Sequence, residues 1–394
     1  MSEWSPFDKD TFNRIRLNSP PGGWFPALED LYWCITESNP PYTDLFFSSP
    51  HLKTISIIVQ RSWDISGAPH DVMQTLASTI SALPTSSLQE IEVGDDNFTM
   101  PWAYFKDSLS SVVLRCGTSF TDYDSPVPLS DAAVNHLIHL PHLRAWRIHG
   151  PPPNYTAASL PLIFPPLEEL TLGKDAARGW LPLFERLEHG VSTTQGATPL
   201  SKAKESLKVL NIKSFSIHTI DPSFVSPVQR FRNLVQLNIE VYCFDGDEKS
   251  QCAFKLNNDN VTELAMALTQ LRSLLLGRTC PKNTCSTTVS CLLPISVHCT
   301  KLESLEVHFN TTNIVDDFKN ILEDPRFQQL RSLPRCPLTC LDVFRIPLSL
   351  DGPGFETVAK GMINIFPSLK YCEGIMQIWD DLSGRIEELQ GMKT

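Results

Sequence analysis

The segment "TCPKNTCSTTVSCLLPISVHC", residues 279–299, holds the densest group of side chains that could do chemistry. It contains Cys280, Cys285, Cys291, His298 and Cys299. Zinc sites usually pair thiolates as C-x2-4-C, because two ligands must reach one tetrahedral ion from a tight turn. The gaps between these cysteines are four, five and seven residues. This spacing favours buried thiols, and a thiol or zinc-dependent function at residues 280–299 is kept as an alternative.

Other catalytic patterns give weaker signals. A cysteine nucleophile needs a base within hydrogen-bond reach, and adjacency in sequence does not bring the His298 and Cys299 side chains together. The sequence has no G-x-S-x-G, H-E-x-x-H, Walker or dinucleotide-binding glycine pattern. The carboxylate pairs Asp95–Asp96 and Asp316–Asp317 are typical of solvated charges in a loop and on a helix surface. We therefore expect no catalytic residues, no metal site, no cofactor and no enzymatic activity.

Composition restricts the class of protein and its partners. With 42% hydrophobic and 20% charged residues, the 394-residue chain can bury a sizeable core. The net charge of −11 argues against a nucleic-acid partner, because phosphate binding needs a basic face. No apolar run is long enough to span a membrane, and "MSEWSPFDKDTFNRIRLN" lacks the apolar core of a secretory signal. We expect a cytoplasmic or nuclear protein whose eleven cysteines are reduced thiols.

A six-residue pattern recurs along the chain: a leucine with apolar partners at offsets 3 and 5. The eleven copies read LEDLYW, LKTISI, LQEIEV, LSSVVL, LRAWRI, LEELTL, LKVLNI, LVQLNI, LRSLLL, LESLEV and LTCLDV, and LKYCEG at Leu369 is a degenerate further copy. No two lie closer than 21 residues, and five follow a P-x-L turn. Each copy predicts a short strand that buries one face.

Segments with helical spacing follow most of these strands. "TKLESLEVHFNTTNIVDDFKNIL", residues 300–322, changes from strand spacing to helical spacing at Ile314. Further helices are predicted from Asp71, Ser130, Asn257 and Phe355, with Ser130 and Asp259 as N-caps. A strand and a helix that cannot cover their own apolar faces are the unit of a leucine-rich repeat. We expect an α/β solenoid, an irregular arc with a parallel sheet on its concave face and helices on its convex face.

In such a solenoid, offsets 2, 4 and 6 of each strand line the concave face. The candidate binding residues there are Arg115, Arg147, His149, Lys213, Asn211, Asn238, Glu240, Glu306 and His308. Arg115, Arg147, His149 and Lys213 belong to consecutive or nearly consecutive repeats and predict a local basic patch. Such a patch would suit an acidic or phosphorylated peptide, although solubility alone also requires polar residues there.

The repeats resemble those of the large fungal family of F-box proteins with C-terminal leucine-rich repeats. The resemblance is closest over residues 255–367, and "FPALEDLYWCITESNPPYTDLFFSSPHLKTISI" is similar to the first two repeats of that family. The opening "FDKDTFNRIRLN" is similar to the linker helix after an F-box, with Phe12, Ile15 and Leu17 at its apolar positions. An F-box itself is not found in this chain.

The resemblance implies a substrate-recognition module of a cullin-RING ubiquitin ligase, binding a target protein or peptide and, through an upstream F-box, the Skp adaptor. A stand-alone repeat scaffold is the alternative. The expected organisation is a linker or cap over residues 1–20, about eleven irregular repeats over residues 21–375, and a tail or capping helix over residues 376–394.

Overall fold

The computed structural model divides the chain into two compact units, residues 1–167 (unit 1) and 168–394 (unit 2). It describes residues 18, 25–35, 49–59, 70–95, 102–148, 166–173, 205–215, 220–242, 253–277, 285–325, 327, 334–343, 350, 352–373 and 377–391. His149, Cys280, Phe12, Ile15 and Leu17 lie outside these ranges, and so does the linker expected over residues 1–20, apart from Asn18.

Unit 1 contains a parallel sheet whose strands follow one another in chain order. Its strands are β1 (Asp30–Ile35), β2 (Thr54–Val59), β3 (Glu90–Asp95), β4 (Asp122–Ser125) and β5 (Ala145–Ile148). One row of inward side chains runs across all five strands in register: Leu31, Ile55, Ile91, Tyr123 and Trp146. The last four of these are buried, so each strand completes the apolar layer of its neighbour.

The helices of unit 1 follow the strands in the order that the repeats require. They are α1 (His70–Ser81), α2 (Lys106–Arg115), which a 3-10 turn at Trp102–Phe105 precedes, and α3 (Asp131–Leu137). Helix α2 packs against both α1 and α3. Ser130 caps α3 by accepting a hydrogen bond from the backbone N–H of Ala133, which confirms the predicted cap.

Unit 2 repeats this arrangement with seven described strands. They are β6 (Glu169–Leu172), β7 (Val209–Phe215), β8 (Gln236–Tyr242), β9 (Ser273–Leu276), β10 (Ser304–Val307), β11 (Cys340–Asp342) and β12 (Tyr371–Glu373). All of their pairings are parallel and in chain order.

A leucine ladder forms the core of unit 2. Its members, which occupy one register row, are Leu170, Leu210, Leu237, Leu274, Leu305 and Leu341, and Cys372 ends the row. All seven side chains are buried. Burying one leucine side chain contributes about 2 kcal/mol, and no single repeat can bury its own. This ladder confirms the predicted α/β leucine-rich-repeat fold.

The helices of unit 2 pack against one another beside this core. They are α4 (Val225–Val228), α5 (Asn258–Ala267), α6 (Leu292–His298), α7 (Ile314–Glu323), α8 (Gly352–Ile365) and α9 (Gln377–Gly391); 3-10 turns at Pro222–Phe224 and Val289–Cys291 lead into α4 and α6. The change of spacing at Ile314 is confirmed as the start of α7. The predicted cap of α5 is wrong by two residues: Asn257, not Asp259, accepts from the Asn260 N–H and completes a capping box.

One predicted strand is a helix. The copy "LSSVVL" at Leu109 lies inside α2, because Leu109, Val112, Val113 and Cys116 also satisfy helical spacing, and all four are buried. The strand of this repeat is β4, where Phe120, Tyr123 and Ser125 take the three inward positions. The remaining copies of the pattern coincide with described strands, and so does the degenerate copy at Leu369.

Helix α9 covers the last strand of unit 2. Its Trp379, Leu382 and Ile386 side chains are fully buried. The hydroxyl of Ser383 accepts from the Cys372 N–H (2.8 Å) and donates to the Cys372 carbonyl oxygen (2.9 Å). An edge strand whose backbone groups are bonded in this way is closed to further pairing.

None of the helices in the described ranges is long and apolar enough to cross a membrane.

The contact between α7 and α8 gives a test of the packing. A Cβ atom at Gly361 of α8 would overlap the buried ring of Phe318 of α7. We therefore expect Gly361→Ala to lower the free energy of unfolding by about 1–3 kcal/mol. Urea unfolding monitored by circular dichroism measures the change.

Gly384 in α9 is the matched control, since nothing lies within 4 Å of a Cβ placed there. Gly384→Ala should raise stability by about 0.5–1 kcal/mol through helix propensity. Equal midpoints for the two variants would contradict the α7–α8 contact.

Candidate functional site

The sheet of unit 1 has a second face, opposite the apolar row, which we call the open face of unit 1. It consists of the outward residues of β1–β5: Asp30, Tyr32, Cys34, Thr54, Ser56, Ile58, Glu90, Glu92, Gly94, Asp122, Asp124, Ala145 and Arg147. Alternation of side chains along a strand places these residues opposite the apolar row. Tyr32 is 68% exposed, and Asp30, Glu90 and Glu92 are exposed as well.

Four carboxylates form a block in the middle of this face. Glu90 is in register with Asp122, and Glu92 is in register with Asp124. Like charges directly opposite each other on neighbouring strands are destabilising. Burial, followed by the charges of Asp122 and Asp30, raises the pKa of Glu90. Ser56 donates a hydrogen bond to Glu92 (2.6 Å), which holds one carboxylate of the block in place.

One member of the predicted basic patch, Arg115, does not lie on a strand. Arg115 lies at the end of α2, and its guanidinium donates to the carbonyl oxygens of Ser81 and Ser111. Arg147 does lie on the open face of unit 1, where its guanidinium is 3.8 Å from the carboxylate of Asp124, a member of the block. Of the patch residues that the structure describes, Arg147 lies on the open face of unit 1 and Lys213 on strand β7 of unit 2.

The open face of unit 2 begins as an amide row. Asn211 and Asn238, both predicted, are in register with each other. Asn238 donates to the side-chain oxygen of Asn211 (2.8 Å), and Asn211 donates to the hydroxyl of Thr171 (3.0 Å). Both amides therefore already use part of their hydrogen-bonding capacity within the row.

Lys213 and Glu240 occupy the next row of unit 2 and form a pair. They are in register, and Lys213 Nζ lies 3.7 Å from Glu240 Oε1. The Glu240 side chain is only 8% exposed, whereas that of Lys213 is 38% exposed. Of these two predicted binding residues, Lys213 offers more surface to a partner.

His308 is not a surface donor, so its predicted position on the face is wrong. Only 2% of it is exposed, and neither ring nitrogen has a hydrogen-bond partner among the described residues. Gly277, which has a φ of 71°, follows β9 and lies against both the His308 Cβ atom and the ring of Phe254. A side chain at Gly277 would press on the His308 Cβ atom, so the glycine permits this burial.

An acidic row ends the open face of unit 2. Glu306, a predicted residue, is in register with Asp342, and Asp342 is in register with Glu373. Glu373, Asp122 and Asp124 were missed by the sequence reasoning. The aspartates were missed because β4 lacks leucine; the signal that could have found them is Phe120-x-x-Tyr123-x-Ser125, which keeps the offsets of the pattern.

The cysteine segment forms part of the core. Cys285, Cys291 and Cys299 are buried free thiols. Burial, and then the neighbouring Cys336, raises the pKa of Cys299 to about 12, and burial with the nearby Cys285 raises that of Cys291 further. Across the described ranges, no group of three His, Cys, Asp or Glu side chains could hold a metal ion. A protonated thiol is a poor nucleophile, and the burial of these three cysteines fits the packing role that their spacing predicts.

Parallel strands, the leucine ladder and the helix that follows most strands define a leucine-rich-repeat protein. No protein-family model matches the sequence, and a search of curated proteins found no match. One similar solved structure is the crystal structure of a TLR13-ssRNA13 complex. It has a TM-score of 0.41 and 15% sequence identity, covering 89% of this chain and 46% of that chain. The chain thus spans about half the length of that protein, and the fold assignment rests on the strand register alone.

The raised thiol pKa values predict slow alkylation. In native protein at pH 8, iodoacetamide should leave Cys291 and Cys299 unlabelled, because both thiols are buried and protonated. Peptide mapping by mass spectrometry measures labelling site by site. Unfolding in urea is the control and should make both sites reactive. Fast labelling of the native protein would contradict this prediction and support a thiol-dependent function at Cys291 or Cys299.

The pKa of Glu90 predicts the pH dependence of stability. Its folded-state pKa lies above its ordinary value of 4.5, so ionisation penalises the folded state. The Glu90 side chain therefore favours folding at pH values below 4.5, and this contribution is lost as the pH rises through its raised folded-state pKa. Glu90→Gln should raise the unfolding midpoint at pH 7, and the gain should vanish at low pH.

Glu356 provides a control of opposite sign. Hydrogen bonds from Arg385 and Lys360 lower its pKa, so it supports folding at neutral pH and loses that support as pH falls. Glu356→Gln should lower the midpoint at pH 7 and not near pH 2. A loss of stability at pH 7 in Glu90→Gln would contradict the repulsion within the carboxylate block.

Proposed function

We propose that this chain is a non-catalytic protein-binding module whose open sheet faces hold a target protein. The observation that carries the proposal is the open face of unit 1. Its outward residues are not needed for the core, yet they include an aromatic ring, Tyr32, that is 68% exposed. Exposed aromatic side chains with polar surroundings are the usual anchors of protein interfaces. The module would act by positioning its target and would catalyse no reaction itself.

The finer proposal is substrate recognition for an F-box type cullin-RING ubiquitin ligase in the cytoplasm or nucleus. Its support is the resemblance of residues 255–367 to the final repeats of that family. In this proposal residues 1–20 link the repeats to an F-box, residues 21–375 recognise the target, and residues 376–394 cap the stack. The Skp adaptor would be the second partner, and the ligase complex would supply the chemistry.

Of the predicted binding residues, Arg147, Asn211, Asn238, Lys213, Glu240 and Glu306 remain in this proposal as positions on the open faces. His149 stays a prediction, since it lies outside the described residues. Within the Lys213–Glu240 pair, Lys213 is the member that offers more exposed surface to a partner, 38% against 8%.

Two measurements, co-purification with the Skp adaptor and the cellular level of the target, distinguish a stand-alone scaffold from a ligase receptor. A receptor should co-purify with the Skp adaptor when an F-box is present, and its target should accumulate in cells when the receptor is removed. A scaffold should do neither, although both would bind the target through the same face.

A photo-crosslinking experiment tests the binding face. Benzoylphenylalanine replaces Tyr32 on the open face of unit 1 or, as a matched control, Tyr104, which is 41% exposed in the turn before α2. We expect one polypeptide, identified by mass spectrometry and then bound by the purified chain, to crosslink at position 32 and not at position 104. Equal crosslinking at both positions, or a partner that crosslinks only at position 104, would refute binding by the open face.

A further inference from the structure

The open face of unit 1 is accessible to a partner along most of its width. Asp30, Tyr32, Glu90 and Glu92 are exposed on β1 and β3, and the aspartates of β4 are partly exposed. These residues make no contribution to the apolar row on the other side of the same strands. Packing of the core therefore does not determine these side-chain types, and we infer the chemistry of a binding partner from them.

Most of the charged side chains on this face are negative. On the described strands of unit 1, five carboxylates point outward, from Asp30, Glu90, Glu92, Asp122 and Asp124, against the guanidinium of Arg147. The guanidinium of Arg144, directly before β5, also acts on Glu90, which leaves the carboxylates in excess. A surface that had to be only soluble would mix both signs. Here carboxylates stand directly opposite carboxylates in two register pairs, an arrangement that costs stability.

Unit 2 shows the same preference independently. Glu306, Asp342 and Glu373 follow one another in register across its last three strands. Two faces, built from different repeats, thus place like charges where a neutral pair would be more stable.

The geometry of one row defines the length of a partner. Tyr32, Ser56, Glu92 and Asp124 are in register across β1–β4. Neighbouring strands are about 4.8 Å apart, so the row spans about 14 Å, the length of four or five extended residues. An aromatic ring stands at one end and carboxylates at the other. A cation over the ring and further cations on the carboxylates would satisfy both.

We propose that the open face of unit 1 binds a basic segment, a Lys- or Arg-bearing stretch of the target protein lying across β1–β4. This deepens the proposed function and rests on it. Charge complementarity selects this occupant: the carboxylate block attracts cations and repels the phosphates of a nucleic acid. A bare divalent cation is the competing occupant; across the described residues no three ligands meet at one point.

The test compares two double variants that each remove two negative charges. Glu90→Gln with Glu92→Gln changes the open face, whereas Asp107→Asn with Asp131→Asn changes exposed residues in the first turns of α2 and α3. The probe is a labelled peptide of about twelve residues that alternates lysine and serine, and fluorescence anisotropy measures its affinity. We expect the face variant to bind at least about fivefold more weakly and the helix variant less than about twofold.

Tyr32 is tested by substitution with and without the ring. Tyr32→Ala should weaken peptide binding, and Tyr32→Phe should keep it, since a cation over the ring needs no hydroxyl. Because Tyr32 is 68% exposed, neither change should shift the unfolding midpoint measurably. Raising the salt concentration should weaken binding to the unchanged chain and have less effect on the face variant.

Several outcomes overturn the inference. Equal losses in the two double variants would show only a general attraction of an acidic protein for cations. Stoichiometric binding of Ca²⁺ that displaces the peptide would make the face a metal site. A target crosslinked at position 32 that lacks a basic segment, or that binds both double variants equally, would refute the basic-segment inference and leave the protein-binding function standing. Peptide binding at the face with no protein partner at position 32 would instead count against the protein-binding function.

Discussion

The structure depends on a burial requirement that no single repeat can meet. Each strand presents an inward stripe of two or three apolar side chains, and only the stripe of the next strand can exclude water from it. The leucine ladder of unit 2, from Leu170 to Leu341, is the result of meeting this requirement repeatedly. Short strands that would be unstable alone become stable in series, and the register of the whole sheet follows from keeping the ladder aligned.

The same requirement creates the surface on which binding is proposed. Because side chains alternate along a strand, alignment of the inward row also aligns the outward row, strand after strand. Most of the outward positions are at least partly exposed to solvent, so they can hold residues that weaken the fold. Glu90 and Glu92 facing Asp122 and Asp124 are such residues. The stability supplied by the buried row allows the exposed row to keep a repulsive arrangement.

The sequence predicts the fold well and the site only in part. The segment at residues 300–322 revealed one complete repeat, because Leu302, Leu305 and Val307 have strand spacing and Ile314 and Phe318 have helical spacing. The pattern failed at Leu109 because its spacing fits both periods, while Phe120 and Tyr123 carry β4 without leucine. Because of that error, the sequence wrongly placed Arg115 on the open face and did not predict Asp122 and Asp124 there. The burial of His308 depends on the contacts of Gly277 and Phe254, which spacing alone does not reveal.

The closing helix of unit 2 determines how the chain can associate with copies of itself. Repeat stacks grow naturally by adding strands at an open end, and this tendency drives edge-to-edge polymerisation. Ser383 already occupies the backbone N–H and carbonyl of Cys372, and Trp379 shields the residues around it. The outward backbone groups of Cys372 are therefore unavailable as a template for a strand of a second molecule.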